Sequence, residues 1–590
     1  MAKFRQERWN LGDILPAHDG KEFNSLMKSL ENNVKKFESY RKILNPEMPA
    51  EKLLDIIKLL EKISETSGKI GAYPALWFAM NTKNQEARAF KDKVNNKLTE
   101  LGNKLLFFPL WFKSLSDKWA GKFIKRAGHY RYYLESVRLT KKYTLSEPEE
   151  KIINIKSTSG TEALNSLYDI ITNSFKFDMK FGKRTKAMNQ EEIKVYTRSA
   201  DKNLRENSYS AILARYCENR DALGEIYKNI LTDWKNEGIK LRGYKSYVSP
   251  RNIGNDISDK AIKTMLDVCR KNTRLFQRYF RLKAKLIGMK TLRRYDIYAP
   301  VAGREKKYSY SEGTKLVLDC YKDFSPETAR LALRVLSEKH IDSVVDDGKM
   351  SGAFCYGVTP NITPYVLVNY TGKERDVMTL AHELGHAIHD LLSSKNSILM
   401  FHPPLILAET ASIFGEMIVT EKLLGDARSR KEKTALLTSK LDDIYASIIR
   451  QAFFVMFEQD AHKAADEGAT VDELSGIYLK NLKEQFGNSV KISDDFRSEW
   501  MYIPHIYHTP FYCYAYSFGN LLTLALYKMY KEQGKKFVPK YLKFLSYGGS
   551  KKPAKIGKEL GINFEDARFW QKGFDMVKDM IDGLEKTSKN

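Results

Sequence analysis

The chain has 590 residues, 43% of them apolar, and a formal charge of +25. That is ample for a large buried core, and the length suggests two or more domains. Five scattered cysteines, with no CxxC pair among them, argue against a disulfide scaffold and point to a reducing cytosol. The opening Met1-Ala2-Lys3-Phe4-Arg5 is charged, has no apolar stretch behind it, and does not read as a secretory signal. No apolar run approaches the roughly 20 residues needed to cross a bilayer. A soluble cytoplasmic protein with no membrane partner is expected. The positive charge admits one other class, a nucleic-acid binder. Lys and Arg are spread along the whole chain, however, and no nucleic-acid motif accompanies them, so nucleic acid is not expected as a partner.

In chain order, the pattern is helical nearly throughout. Leu53, Ile56, Leu60 and Ile63 recur at three- and four-residue spacing, as do Ala87, Phe90, Val94, Leu98, Leu101 and Leu105. Residues 21–43, 148–175, 198–235, 256–288, 427–466, 511–533 and 564–584 read the same way. Residues 1–190 carry no strand signal and are expected to form an all-helical lobe. Residues 341–371 break the pattern, being rich in Gly, Pro and β-formers. Three strands are expected there: one ending near Val345, one at Ala353–Tyr356 and one at Tyr365–Asn369. A weaker strand signal covers Arg294–Ala299. The expected fold is mainly α, with a small sheet near 341–370.

Immediately after that sheet comes His382-Glu383-Leu384-Gly385-His386. Asp376 is a plausible N-cap for its helix, which should run through Leu380 to Leu392. Residues four apart on a helix differ by about 40° in direction, so His382 and His386 project from one face and can share a zinc ion. Glu383 then sits beside the open coordination position and can take a proton from a metal-bound water. Chance would produce this spacing in about one chain in a hundred of this composition. Seven of the ten histidines also cluster between 382 and 508.

Zinc needs a third protein ligand. Leu392 and His389 stand where a metzincin would have His and Gly, so that class fails. A new helix, Leu405 to Leu424, carries Glu409 and Glu416 seven residues apart and near one face. Acidic groups among Ala, Ile, Phe and Met need partners. Glu409 is expected as the third ligand, and Glu416 as the acceptor for a histidine's other N–H. His389 would crowd the open position and is given a supporting or packing role. His402, before two prolines, has no assignment. Residues 502–518 hold five tyrosines and two histidines. Their O–H and N–H groups could serve an oxyanion, and spacing alone does not choose among them.

Together these segments resemble the oligoendopeptidase F group, relatives of thimet oligopeptidase. The matching stretches are Ser351-Gly-Ala-Phe-Cys-Tyr-Gly357, Leu380 to His389, Ala408 to Glu416, and Pro504 to Tyr516. An opening like Trp9-Asn-Leu-Gly-Asp-Ile-Leu-Pro16 also looks typical. The resemblance implies a two-lobed helical metallopeptidase with a deep substrate channel, its catalytic domain here spanning 191–590. It implies one zinc per chain on His382, His386 and Glu409, with Glu383 as general base. Gly352, Ala353 and Phe354 would pair with the backbone of a short peptide substrate. A histidine and tyrosines stabilise the transition state in this group. His505, Tyr507 and Tyr514 match best by pattern, with Tyr512 and His508 as near alternatives. The expected activity is zinc-dependent hydrolysis of internal bonds in short peptides. A catalytically inactive peptide binder and a basic nucleic-acid binder are the alternatives.

Overall fold

The computed structural model describes residues 4–18, 20–301 and 306–589. Residues 1–3, weighed above as part of a possible leader, lie outside that set. Helices account for most of the chain, as expected. Among the described residues seven short strands accompany them: β1 (Phe177–Phe181), β2 (Arg184–Met188), β3 (Leu292–Arg293), β4 (Ile341–Asp342), β5 (Phe354–Tyr356), β6 (Tyr365–Leu367) and β7 (Val490–Lys491). No helix among the described residues is long and apolar enough to cross a membrane.

Contacts divide the chain into two units of three segments each. One holds residues 1–142, 305–422 and 529–562; the other holds 143–304, 423–528 and 563–590. This division does not follow the expected cut at 190, because segments from both sides of that position enter the second unit.

The first unit grows from the long stripe read in the sequence. Helix Ala50–Met80 buries Leu53, Ile56, Ile63 and Ile70, and helix Gln85–Asn103 lays Val94 and Leu101 into the same core. The three expected strands form one sheet in the order β4-β6-β5, with β4 parallel and β5 antiparallel to β6. Trp9 packs against Phe354 and Tyr365 of this sheet, at ring separations of 6.1 and 5.8 Å. That contact explains the tryptophan of the opening motif. Lys349 is buried beneath the loop between β4 and β5. Its ammonium group meets Asp342 Oδ1 at 2.6 Å and donates to the carbonyls of Asp342, Val344 and Val368. A buried charge satisfied on all its N–H groups ties down the backbone around it. The loop is therefore fixed just before it delivers β5.

The second unit corrects two expectations. Residues 1–190 are not all helical, because β1 and β2 form an antiparallel hairpin. Phe177-Asp178-Met179-Lys180 does alternate, with the apolar residues buried and the charged ones exposed. The signal is short and lies at the end of a long helical run. The strand expected at Arg294–Ala299 is displaced. Pairing falls on β3, parallel to β7, and Arg294–Asp296 is a 3₁₀ turn. Asp296 causes the turn: its carboxylate accepts from the Arg293 N–H at 3.2 Å and is held by Arg205 at 2.8 Å. Three expected helices are each broken once, at Gly160, at Asn219 and at Asn272.

Candidate metal centre

Helix Glu374–Ser393 follows the sheet in the first unit. Its N-cap is Lys373, three residues earlier than a cap at Asp376 would place it. Asp376 is the third helical residue, and its carboxylate accepts from the N–H and hydroxyl of Thr371, both at 2.7 Å, and from the Lys373 N–H at 3.0 Å. A carboxylate in the first turn still satisfies unpaired donors and suits the positive helix end. The next expected helix is two pieces, Leu405–Ala408 and Thr410–Asp426. Glu409 occupies the break between them. Its Oε2 accepts from the Ser412 hydroxyl at 2.8 Å.

Small residues let these two elements meet backbone to backbone. A Cβ on Gly385 would come within 2.6 Å of Ala411 O and Ser412 Cα. A Cβ on Gly415 would meet the Tyr321 hydroxyl and would lie 3.1 Å from Ala381 O. The sequence carries this close approach as Ala381-x-x-x-Gly385 facing Ala411-x-x-x-Gly415, a small residue at each successive turn.

Close approach brings together three atoms that could ligate a metal ion. His382 Nε2 lies 3.2 Å from His386 Nε2 and 3.3 Å from Glu409 Oε2, and the third edge, His386 to Glu409, is 3.4 Å. A tetrahedral ion with bonds of about 2.0–2.1 Å to nitrogen and oxygen requires ligand edges of about 3.3–3.4 Å. The donor set therefore fits zinc in both chemistry and size. His382 Nδ1–H donates to Glu416 Oε1 at 2.6 Å. That bond turns the Nε2 lone pair toward the other two ligands. Burial disfavours a charged His382, but hydrogen bonds and charge from Glu409 and Glu416 outweigh it and raise its pKa to about 10. Burial would raise Glu409, yet the two histidines hold it well below the carboxylate range.

A cavity of about 370 Å³ opens onto these atoms. Glu383, 6% exposed, lines it and makes no side-chain hydrogen bond among the described residues. Burial raises its pKa, with the histidines opposing. Ala353 and Phe354 form part of the wall. β5 is an edge strand that among the described residues pairs only with β6, and Gly352 precedes it at φ +80°. Asn369 donates to the Gly352 carbonyl at 2.9 Å and holds that turn.

His389 is buried, its nitrogens meeting the carbonyls of Ala408 and Leu545, and burial depresses its pKa to about 3. It supports the backbone before Glu409 and does not join the ligand triangle. His402 lies in the cavity wall. Sequence reasoning missed Asp390 and Cys355, which also line the cavity. Asp390 was accessible by continuing the spacing, since 382, 386 and 390 step along one helix face.

The aromatic segment belongs to the second unit. Tyr507 is fully buried, stacks on Tyr168 at 4.0 Å, and donates to Leu223 O at 3.3 Å. Tyr514 is equally buried, and its hydroxyl accepts from Asn255 at 2.7 Å. Both hydroxyls are committed inside a core, which corrects the expectation that they face a ligand. His508 is exposed and lies 3.0 Å from Asp169. His505, Tyr512 and Tyr516 form a half-buried group, with ring separations of 5.2–6.1 Å. Tyr516 was not singled out from the sequence. Its ring falls four residues after Tyr512, one helical step away.

Compared with known proteins, residues 195–576 match the model of peptidase family M3 and residues 111–177 match that of oligopeptidase F. An oligoendopeptidase F homologue of Borreliella burgdorferi is 27% identical over 559 residues, covering 93% of this chain and 92% of that protein. A crystal structure from Chlamydophila abortus superposes with a TM-score of 0.86 at 26% identity, over 98% of each chain. The oligoendopeptidase-F structure of Enterococcus faecium shares the fold, with a TM-score of 0.72 at 22% identity over 97% of this chain and 99% of that one.

Proposed function

The chain belongs to peptidase family M3 and is a metallopeptidase, and from that premise we propose that it is a cytoplasmic zinc oligoendopeptidase. It cuts internal bonds of short peptides with one zinc held by His382, His386 and Glu409. The observation that carries this reading is the ligand triangle, with edges of 3.2, 3.3 and 3.4 Å. Zinc bound there supplies Lewis acidity and brings the pKa of water down to about 7.

The chain's own residues do the rest. Glu383 takes a proton from the attacking water and returns it to the leaving amine. Glu416 keeps His382 in the tautomer that ligates. The outer edge of β5, with Gly352, Ala353 and Phe354, accepts the peptide backbone as an added strand. The resemblance assigns transition-state stabilisation to a histidine and tyrosines of the 502–518 segment. Burial within that segment favours His505, Tyr512 and Tyr516 over Tyr507 and Tyr514.

The test is cleavage of a quenched fluorogenic peptide by protein of measured zinc content, with and without a chelator. One zinc per chain and chelator-sensitive cleavage at an internal bond are expected. Zinc-loaded protein that retains the peptide without cutting it would replace the enzyme with an inactive peptide binder.

A further inference from the structure

The cavity beside the ligand triangle carries one acidic group that the reaction does not use. Asp390 follows His386 by four residues, about one turn or 6 Å further along the same helix face. Its side chain lines the cavity together with Cys355, Gly357, His402 and Pro403. Among the described residues no Lys or Arg lines this space. The Asp390 carboxylate makes no ion pair and no hydrogen bond among the described residues. Glu409, by contrast, is engaged by both histidines. The wall nearest Asp390 is shaped around it. A Cβ on Gly357 would run into the Asp390 carboxylate and would lie 3.0 Å from His402 Cε1. Glycine at 357 thus leaves room for the carboxylate and for whatever approaches it. His402 brings no compensating charge, because burial depresses its pKa.

A half-buried carboxylate without a cation is costly unless something supplies one. We infer that Asp390 is a specificity residue that pairs with a Lys or Arg side chain of the peptide, held next to the bond to be cut. This rests on the peptidase reading above and names the substrate class of that site. It runs against the bulk charge: a chain of +25 would suggest acidic peptides, but the cavity beside the metal ligands is locally acidic. Burial lifts the pKa of Asp390 to about 7 against the opposing pull of His386, in keeping with a carboxylate that has no cation of its own. A bound guanidinium or ammonium would complete it with charge-assisted hydrogen bonds.

The experiment uses zinc-loaded protein and N-acetylated fluorogenic peptides, so that a terminal amine cannot stand in for a side chain. Lys, norleucine and Glu are scanned through the positions flanking the cleaved bond. At one position Lys should raise kcat/KM over norleucine about tenfold, the scale of a charge-assisted hydrogen bond, and Glu should lower it. Asp390→Asn, still zinc-loaded, should bring the Lys-to-norleucine ratio close to one. Asp390→Ser serves the same purpose if the Asn variant fails to fold. Cleavage by the wild type with no preference for Lys at any position overturns the inference while leaving the peptidase reading intact. A preference that survives in both variants overturns it as well. No cleavage of any peptide by zinc-loaded protein overturns both.

Discussion

The ligand helices and the aromatic segment are both dense in reactive side chains, yet they behave differently. In the first, every group that sequence spacing placed together is together. His382, His386, Glu409 and Glu416 lie within a run of 35 residues on two adjoining elements. In the second, spacing chose no residue and the family resemblance put forward Tyr507 and Tyr514, both of which are spent in the core on Leu223 and Asn255. The difference is one of range. Helical geometry fixes the direction of residues four and seven apart before any tertiary contact forms. Which of five tyrosines turns inward depends on partners hundreds of residues away, such as Tyr168 and Asn255.

Mutations can break or sharpen this contrast. The largest effect should come from Glu409→Ala, which leaves two ligands for the ion. Zinc measured by atomic absorption should fall well below one per chain; unchanged stoichiometry would remove Glu409 from the ligand set. Glu383→Gln should keep the metal and lose about 10²–10⁴ in kcat, the range for a positioned general base. Wild-type turnover in that variant would sink the mechanism. In the aromatic segment, Tyr516→Phe should cost about 10²–10³ in kcat if its hydroxyl serves the oxyanion, whereas Tyr507→Phe should leave kcat in place. Equal losses in the two would erase the distinction drawn from burial. Glu416→Gln should weaken zinc binding about 10–100-fold, the usual cost of losing a ligand's supporting acceptor, as read by chelator competition. Tyr507→Phe should lower stability by only about 1 kcal/mol, for one neutral hydrogen bond, visible as a small shift in a denaturant midpoint.

Much of the molecule was legible because its signals are local. The stripe from Leu53 to Ile63 predicted a buried helix face, and three strands near 341–370 appeared close to where β-formers and turn residues put them. The errors also have local causes. Asp commonly caps helices, which points to Asp376, but a carboxylate three residues into the helix reaches the same donors. Arg294–Ala299 has a strand-like composition, and the Asp296 carboxylate folds it into a turn. β1 alternates, but β2 is exposed at all but its last position, and each strand is only five residues long. Asp390 belongs to no ligand motif that the sequence offers, although the next step of the same helix face reaches it. The division into two units was not legible at all. Each unit gathers three separated segments, and no composition shift marks their joins.

The contact between Gly385 and the Ala411–Ser412 backbone has a last consequence. The separation of the ligand elements is set by two hydrogens, and the smallest step up from hydrogen is a methyl group that meets backbone. The gauge of the metal triangle is therefore an all-or-none property of the chain. The cavity walls at Ala353, Cys355, Asp390 and His402 are under no such restriction and can change one side chain at a time. A protein built this way can diversify the peptides it accepts while its metal chemistry stays where it is.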